Sequence, residues 1–130
     1  MATWNDLVAF VRAEYRVVEQ RADELTIQIE FDDERSQHIW LSREVLDGKE
    51  EWVQIVSPCA LADQVDLRAL LTEIGHTTVV GGAAIMGNHV VLRHSLPLSN
   101  LDINEFIDPL QLLAGTVDTL EEQFSGGDTY

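Results

Sequence analysis

Three short segments with strand-like alternation dominate the first half of the chain. In the first, at 25–31, every second residue is apolar: Leu25, Ile27, Ile29 and Phe31. This is the period of a strand with one buried face. Two further segments, at 35–41 and 52–56, follow after polar turns around 32–34 and 47–49. The pattern predicts a three-stranded antiparallel meander.

The alternation also assigns each strand residue to one face of the sheet. The face toward the core is predicted to hold Leu25, Ile27, Ile29, Phe31, Ile39, Leu41, Val53 and Ile55. The opposite face is predicted to hold His38, Trp40, Trp52 and Val56. Two tryptophans are unusual on a solvent-facing surface. We therefore expect them to be covered by another part of the chain, by a second subunit or by a ligand segment.

Three segments have the apolar spacing and the capping residues of helices. Thr3 and Asp6 form an acidic variant of a capping box, and Asp66 can cap a second helix that Gly75 would end. Asp102 with Glu105 predicts a third helix. Its apolar stripe consists of Ile103, Phe106, Ile107, Leu110, Leu113, Val117, Leu120 and Phe124.

Pro109 interrupts this last stripe and leaves two interpretations open. A proline removes one backbone donor and disfavours helical geometry at the residue before it. Either one helix kinks there, or a first turn breaks and Asp108 caps a restarted helix. We favour the single kinked helix. We also expect Glu121 and Glu122 to be solvated on its flank, and residues 124–130 to form a mobile tail.

Turn residues complete the predicted order of elements. Gly87 and Asn88 lie between two apolar runs, which is typical of a hairpin with a type II′ turn. The pair at 81–82 predicts a bulge or close backbone packing, because no phosphate-loop lysine follows it. Residues 16–20 are interpreted as a short extended segment, and Pro58 as the end of the third strand. The prediction is one α+β domain over 1–130, in the order α-βββ-α-ββ-α.

Charge narrows the classes of partner. The chain has 8 Lys and Arg against 23 Asp and Glu, for a formal net charge of −15. Such a charge argues against binding to nucleic acid or to anionic membrane surfaces. It fits either a solvated surface or an acidic face for a basic partner segment. No cationic-then-apolar N-terminus and no apolar run of about 20 residues stands out, so we expect a cytoplasmic protein.

No catalytic or metal-binding motif stands out. Cys59 is the only cysteine and is predicted to be a small buried side chain. The four histidines lack the helical spacing of a zinc site, and no serine lies in a Gly-x-Ser-x-Gly elbow. The residues alone therefore indicate a small sheet-centred binding or interaction domain, for which we expect no cofactor and no metal.

The order of several weak motifs resembles the YbjN-like family, whose fold is that of the class I type III secretion chaperones. The motifs are Arg35-Ser36-Gln37, Ser57-Pro58 before a Leu-rich helix, the hairpin that ends in Leu92-Arg93-His94-Ser95-Leu96-Pro97-Leu98, and Val117-Asp118-Thr119-Leu120-Glu121 of the final helix. The resemblance covers nearly the whole chain. It implies an acidic homodimer without enzymatic activity that holds extended partner segments in apolar grooves.

Three functional hypotheses follow. In the first, the protein is a homodimeric chaperone-like or regulatory module that binds a protein or peptide through Ile39, Trp40, Trp52 and Val56. In the second, it is a small-molecule sensor or a small enzyme with His38 or His94 in a pocket. In the third, it is a structural subunit of a larger assembly.

Overall fold

Six antiparallel strands and three helices make up the fold of the described residues. In the computed structural model, which describes residues 2–32 and 34–125, the elements are α1 Trp4–Glu14, β1 Arg16–Arg21, β2 Glu24–Glu30, β3 Ser36–Leu46, β4 Glu50–Leu61, α2 Leu67–Thr77, β5 Gly82–Met86, β6 His89–Pro97 and α3 Ile103–Ser125. The strands lie in the order β1-β2-β3-β4-β6-β5. The predicted α+β class is confirmed. The predicted element order was wrong by one strand, because the segment at 16–20 belongs to β1.

The segment at 16–20 was predicted to be extended but was not counted as a strand, because a bulge breaks its alternation. β1 pairs antiparallel with β2, and its register shifts between Val17 and Glu19. A bulge inserts one extra residue and moves the following side chains to the other face. The run therefore shows neither a strand period nor a helical one, although all its residues except Val18 have a partner on β2.

Capping residues start the helices as their sequences indicate. The Thr3 side chain accepts a hydrogen bond from the backbone N–H of Asp6, and the Asp6 carboxylate accepts one from the backbone N–H of Thr3, so the predicted capping box is present. Asp66 accepts from the backbone N–H of Ala69 and caps α2. Each such cap satisfies backbone donors that have no partner within the helix.

Helix α2 continues past the residue predicted to end it. Thr78 donates its backbone N–H to the carbonyl of Ile74 at 3.0 Å, so the helix runs to Thr77. Gly75 has nothing within 4 Å of the position of a Cβ atom and no positive φ angle. The prediction that Gly75 is a left-handed cap was therefore wrong, and this glycine is an ordinary helical residue.

Helix α3 runs unbroken from Ile103 to Ser125 and includes Pro109. The prediction of one helix is confirmed, and Asp108 does not cap a restarted helix. Asp102 donates its backbone N–H to the Glu105 carboxylate at 2.9 Å, which is one half of the predicted capping box. The helix extends through residues 124 and 125, so the predicted tail begins too early; its residues 126–130 lie outside the described ranges, as does Asp33 of the predicted turn.

Strand β4 also continues past its predicted end. It runs to Leu61, and its pairing with β6 shifts register between Pro58 and Ala60. A proline cannot donate to a sheet ladder and is tolerated at a bulge. Here Pro58 lies opposite Val91 directly before the bulge, and the strand continues past it.

The β5–β6 hairpin has the predicted two-residue turn. Met86 pairs with His89 across Gly87 and Asn88, and Gly87 has φ +61° while Asn88 does not have a positive φ. Gly81 has φ +96°, and a Cβ atom there would lie 3.2 Å from the Arg93 carbonyl oxygen and 3.3 Å from Leu113 Cδ1. Close backbone packing is thus confirmed at Gly81, whereas a Cβ atom at Gly82 would have nothing within 4 Å.

The core lies on one face of the sheet. All three helices contribute buried side chains to a single cluster, which also contains one set of alternating strand residues: Leu25, Ile27, Ile29, Ile39, Leu41, Val53 and Ile55. These are the predicted core positions, apart from Phe31, which packs against the cluster partly buried. Among the described residues, no helix is long and apolar enough to cross a membrane.

Phe106 is expected to contribute more stability than any exposed residue of α3. It is fully buried in the cluster, and its ring lies edge-on to Phe10 with centroids 6.2 Å apart. Replacing Phe106 with Ala should lower the free energy of unfolding by about 3–5 kcal/mol, because it removes a large buried side chain and leaves a cavity. Urea denaturation measures this loss.

Leu112 provides the matched control on the same helix. It is 48% exposed, so Leu112→Ala should change stability by less than about 0.5 kcal/mol. Similar losses in the two variants would contradict the assigned orientation of α3 on the sheet.

Candidate functional site

The face of the sheet opposite the helices carries the two tryptophans singled out by the sequence. We call it the helix-free face and define it by Trp40, Trp52 and Val56, with the residues that share their side of the strands. Register places Trp40 between Thr26 on β2 and Val56 on β4, and Val56 next to Arg93 on β6. These four residues form one row across the sheet.

The structure separates one predicted contact residue from the other three. Ile39 has no exposed surface and lies in the helix-covered cluster. Trp40 and Trp52 are half-buried and Val56 is 2% exposed, and none of the three belongs to that cluster. A surface built on Trp40 and Trp52 therefore does not include Ile39, which points through the sheet in the opposite direction.

Several residues of the helix-free face are buried although no described helix covers them. Val56 and Val91 are both buried outside the main cluster, and Thr26 is 8% exposed. Trp40 lies directly between Thr26 and Val56, so these three residues are cross-strand neighbours on this face.

Trp52 lies in a different row, beside Glu44 on β3 and Pro97 on β6. Its indole N–H is buried and donates to no acceptor among the described residues. An unmatched buried donor costs about 1–3 kcal/mol. By contrast, the core residue Trp4 donates its indole N–H to the Ala22 carbonyl at 3.1 Å. The half-exposed Trp52 thus has an indole N–H without an acceptor among the described residues, whereas the buried Trp4 has an acceptor for its own.

A buried ion cluster on the helix-covered face links α3 to the start of β3. The Arg35 guanidinium Nε donates to the two carboxylate oxygens of Asp118 at 3.0 and 3.2 Å. A terminal nitrogen of the same guanidinium lies 3.5 Å from the Glu121 carboxylate, which has no exposed surface. The prediction that Glu121 is solvated was therefore wrong, while Glu122, with a side chain 64% exposed, agrees with it.

A neutral hydrogen-bond network lies on the same face, two residues further along β3. The Gln37 amide donates to the Ser57 hydroxyl and to the Pro58 carbonyl, both at 2.9 Å. The Ser57 hydroxyl in turn donates to the His38 carbonyl at 2.7 Å. The motifs Arg35-Ser36-Gln37, Ser57-Pro58 and Val117–Glu121 are far apart in sequence. They are joined here by direct contacts in space.

Cys59 is buried close to the ion cluster, and its thiol is poorly reactive. Burial raises the pKa of its thiol to about 11, with a further contribution from the negative charge of Glu121. A thiol with such a pKa is almost entirely protonated at neutral pH, whereas nucleophilic cysteines need the thiolate. The predicted role of a small buried side chain is confirmed.

The structure places His38 and His94, the two histidines predicted for a pocket, on opposite faces of the sheet. His38 is exposed on the helix-free face, and His94 is half-buried on the other side of the sheet. A groove of about 350 Å³ between α2 and α3 has a carboxylate at Glu73, amides at Gln111 and Gln123, and no histidine. Within 2–32 and 34–125, no three His, Cys, Asp or Glu side chains group together in a way that could hold a metal ion.

Comparisons with known proteins leave the chain without an assigned family. No protein-family model matches it, and no curated protein matches it. The resemblance to the YbjN-like family and its chaperone-like fold therefore stays a prediction. The same holds for the binding role of Trp40, Trp52 and Val56.

The ion cluster was missed by sequence reasoning, although one signal for it was present. Arg35 has the same strand parity as Gln37, Ile39 and Leu41, all of which face the core. A charged residue at a core-facing position needs a buried partner of opposite sign. On an amphipathic helix, such a partner has to be an acidic residue that lies within the apolar stripe. Asp118 and Glu121 meet this condition, because each follows a buried residue, Ala114 or Val117, by four positions.

Removing Arg35 should be far more damaging than removing an exposed arginine. Arg35→Met leaves Asp118 and Glu121 buried beside each other without their cation, which is expected to cost about 3–5 kcal/mol of stability. Thermal and urea denaturation at neutral pH measure the loss.

Arg43→Met is the matched control, since Arg43 pairs with Glu51 at 2.7 Å and Asp23 at 3.3 Å at a more exposed site. Its loss should be clearly smaller, because exposed ion pairs contribute little. Equal losses in the two variants would show that the Arg35 cluster does not hold α3 on the sheet.

Proposed function

We propose that the protein is a non-enzymatic, homodimeric module that binds a protein or peptide segment on its helix-free face, in the manner of a chaperone or regulator. The observation that carries the proposal is the position of Trp40 and Trp52, which lie outside the core cluster on the side of the sheet that no described helix covers. Buried aromatic side chains supply a large share of the affinity at protein interfaces. Half-exposed rings in this position are suited to that role.

The arrangement of the face supports recognition by a flat or extended partner. Trp40 and Trp52 lie on neighbouring strands but in separate rows, with Gln54 between the rows on β4. Polar groups flank both rings: Thr26 and Glu44 lie opposite them on adjacent strands. Apolar anchors surrounded by polar groups are the usual composition of a non-obligate interface.

Charge favours a basic partner. The chain carries a formal net charge of −15, and helix α3 contains no Lys, Arg or His. A strong negative charge repels acidic proteins, attracts basic segments at long range, and keeps a protein with exposed apolar side chains soluble. Partner association is therefore expected to weaken as salt is added.

Replacing the two rings tests the proposal directly. Trp40→Ala and Trp52→Ala should retain the folded structure, because neither ring belongs to the main core, and should weaken partner capture from a native lysate at least tenfold when combined. Quantitative mass spectrometry of the captured proteins gives the measurement. Trp4→Ala, at a ring that is only 4% exposed, should instead lower the melting temperature strongly.

Leu112→Ala serves as the control for non-specific adhesion, since it removes an exposed apolar side chain elsewhere. It should capture the same proteins as the unmodified chain. The proposal fails if Trp40→Ala and Trp52→Ala each unfold the isolated protein. It also fails if the double variant retains every captured partner.

A further inference from the structure

The two edges of the sheet differ sharply in how they are protected. β1, at one edge, carries three charged side chains and a bulge, and its Arg21 and Arg16 pair with Glu19 and Glu30 at 2.8 and 3.7 Å. Charges and bulges are the devices by which proteins prevent an edge strand from pairing with another chain. The β1 edge is therefore guarded.

The opposite edge, β5, has none of these devices. Its residues are Gly82, Ala83, Ala84, Ile85 and Met86, with no charge, no proline and no bulge against β6. It lies within the longest stretch of the chain without Asp, Glu, Lys or Arg, between Glu73 and Arg93. This edge therefore brings no charged side chain of its own against a second molecule with the same net charge of −15.

Backbone geometry identifies the groups that such a contact would use. Met86 and His89 flank a two-residue turn, so they form a hydrogen-bonded pair, and the alternation along an antiparallel ladder then pairs Ala84 and Gly82 with β6 in the same way. The N–H and C=O groups of Ala83 and Ile85 consequently point away from β6, toward the open edge. They form a short template for one more antiparallel strand.

The helix layer also stops short of this edge. Ala83 and Ile85 pair with Leu92 and Val90, two core residues, so their side chains lie on the helix-covered side of the sheet. Yet Ala83 is exposed and Ile85 is 56% exposed. Val79, in the segment that leads into β5, is 84% exposed. An added strand alone would pair the backbone but leave these side chains in water, whereas a folded body would cover them as well.

We propose that β5 is the dimer interface, in which two copies of this chain pair antiparallel through β5 and extend the sheet across a two-fold axis. This rests on the homodimeric part of the proposed function and names the surface that forms it. An isologous contact presents the same uncharged edge from both sides, so the exposed Ile85 of each copy lies at the interface. It also leaves Trp40 and Trp52 free to bind a partner.

Two substitutions at the edge test the interface. Ala83→Pro removes an N–H that points outward and is not needed by β6, and a proline at such an edge position is compatible with the monomer fold. Ile85→Lys introduces a charge at the centre of the edge in each copy. Sedimentation equilibrium of the full chain should show a dimer for the unmodified protein and a monomer for both variants, with unchanged far-ultraviolet circular dichroism.

Val18→Lys is the matched control, because Val18 is an exposed apolar residue on the guarded β1 edge, 43% exposed. It should remain a dimer. The interface is refuted if the unmodified chain is a monomer throughout the accessible concentration range, or if its dimer survives both edge substitutions. Trp40→Ala and Trp52→Ala should leave the dimer intact, so a failure of this inference is distinguishable from a failure of the partner-binding proposal.

Discussion

The fold depends on the packing of all three helices against a single face of one antiparallel sheet. A strand directs alternate side chains to opposite faces, so one helix layer can bury only half of them. In this protein the helices cover Leu25, Ile27, Ile39, Leu41, Val53 and Ile55. The side chains on the other face must be polar, be covered by neighbouring side chains, or be covered by another molecule. Trp40, Trp52 and Val56 are apolar residues on that uncovered face. The proposed function rests on the need to cover them.

The helix layer is held in register by polar contacts as well as by apolar packing. Arg35, at the start of β3, binds Asp118 and Glu121 near the end of α3, while Gln37 binds Ser57 and the Pro58 carbonyl on β4. Burying charged groups is unfavourable unless they are paired, so the ion cluster favours the position of α3 that brings Asp118 and Glu121 to Arg35.

Local patterns predicted most of the fold, and the failures have identifiable causes. Alternation placed the core face of β2, β3 and β4 correctly because each of these strands has one buried face. β1 was missed because a bulge after Val17 breaks that alternation, and the end of β4 was misplaced because a bulge accommodates Pro58. Glu121 was misjudged because its burial depends on Arg35, which is remote in sequence. Strand alternation predicted that the two tryptophans face away from the core. It could not predict that no described helix covers that face, because helix placement depends on contacts between residues remote in sequence. For the same reason it does not indicate whether a partner covers the rings.

The most direct test of the account is a measurement of the exposure of its three tryptophans in the isolated protein. Fluorine NMR of the protein labelled with fluorotryptophan, assigned by single Trp→Phe substitutions, gives one resonance for each ring. A soluble paramagnetic reagent added to the sample broadens the resonances of rings that solvent can reach. The account predicts broadening of Trp40 and Trp52, and none for Trp4, which is 4% exposed. If Trp40 and Trp52 were as protected as Trp4, the protein itself would cover these rings, and the helix-free face would not be a binding surface.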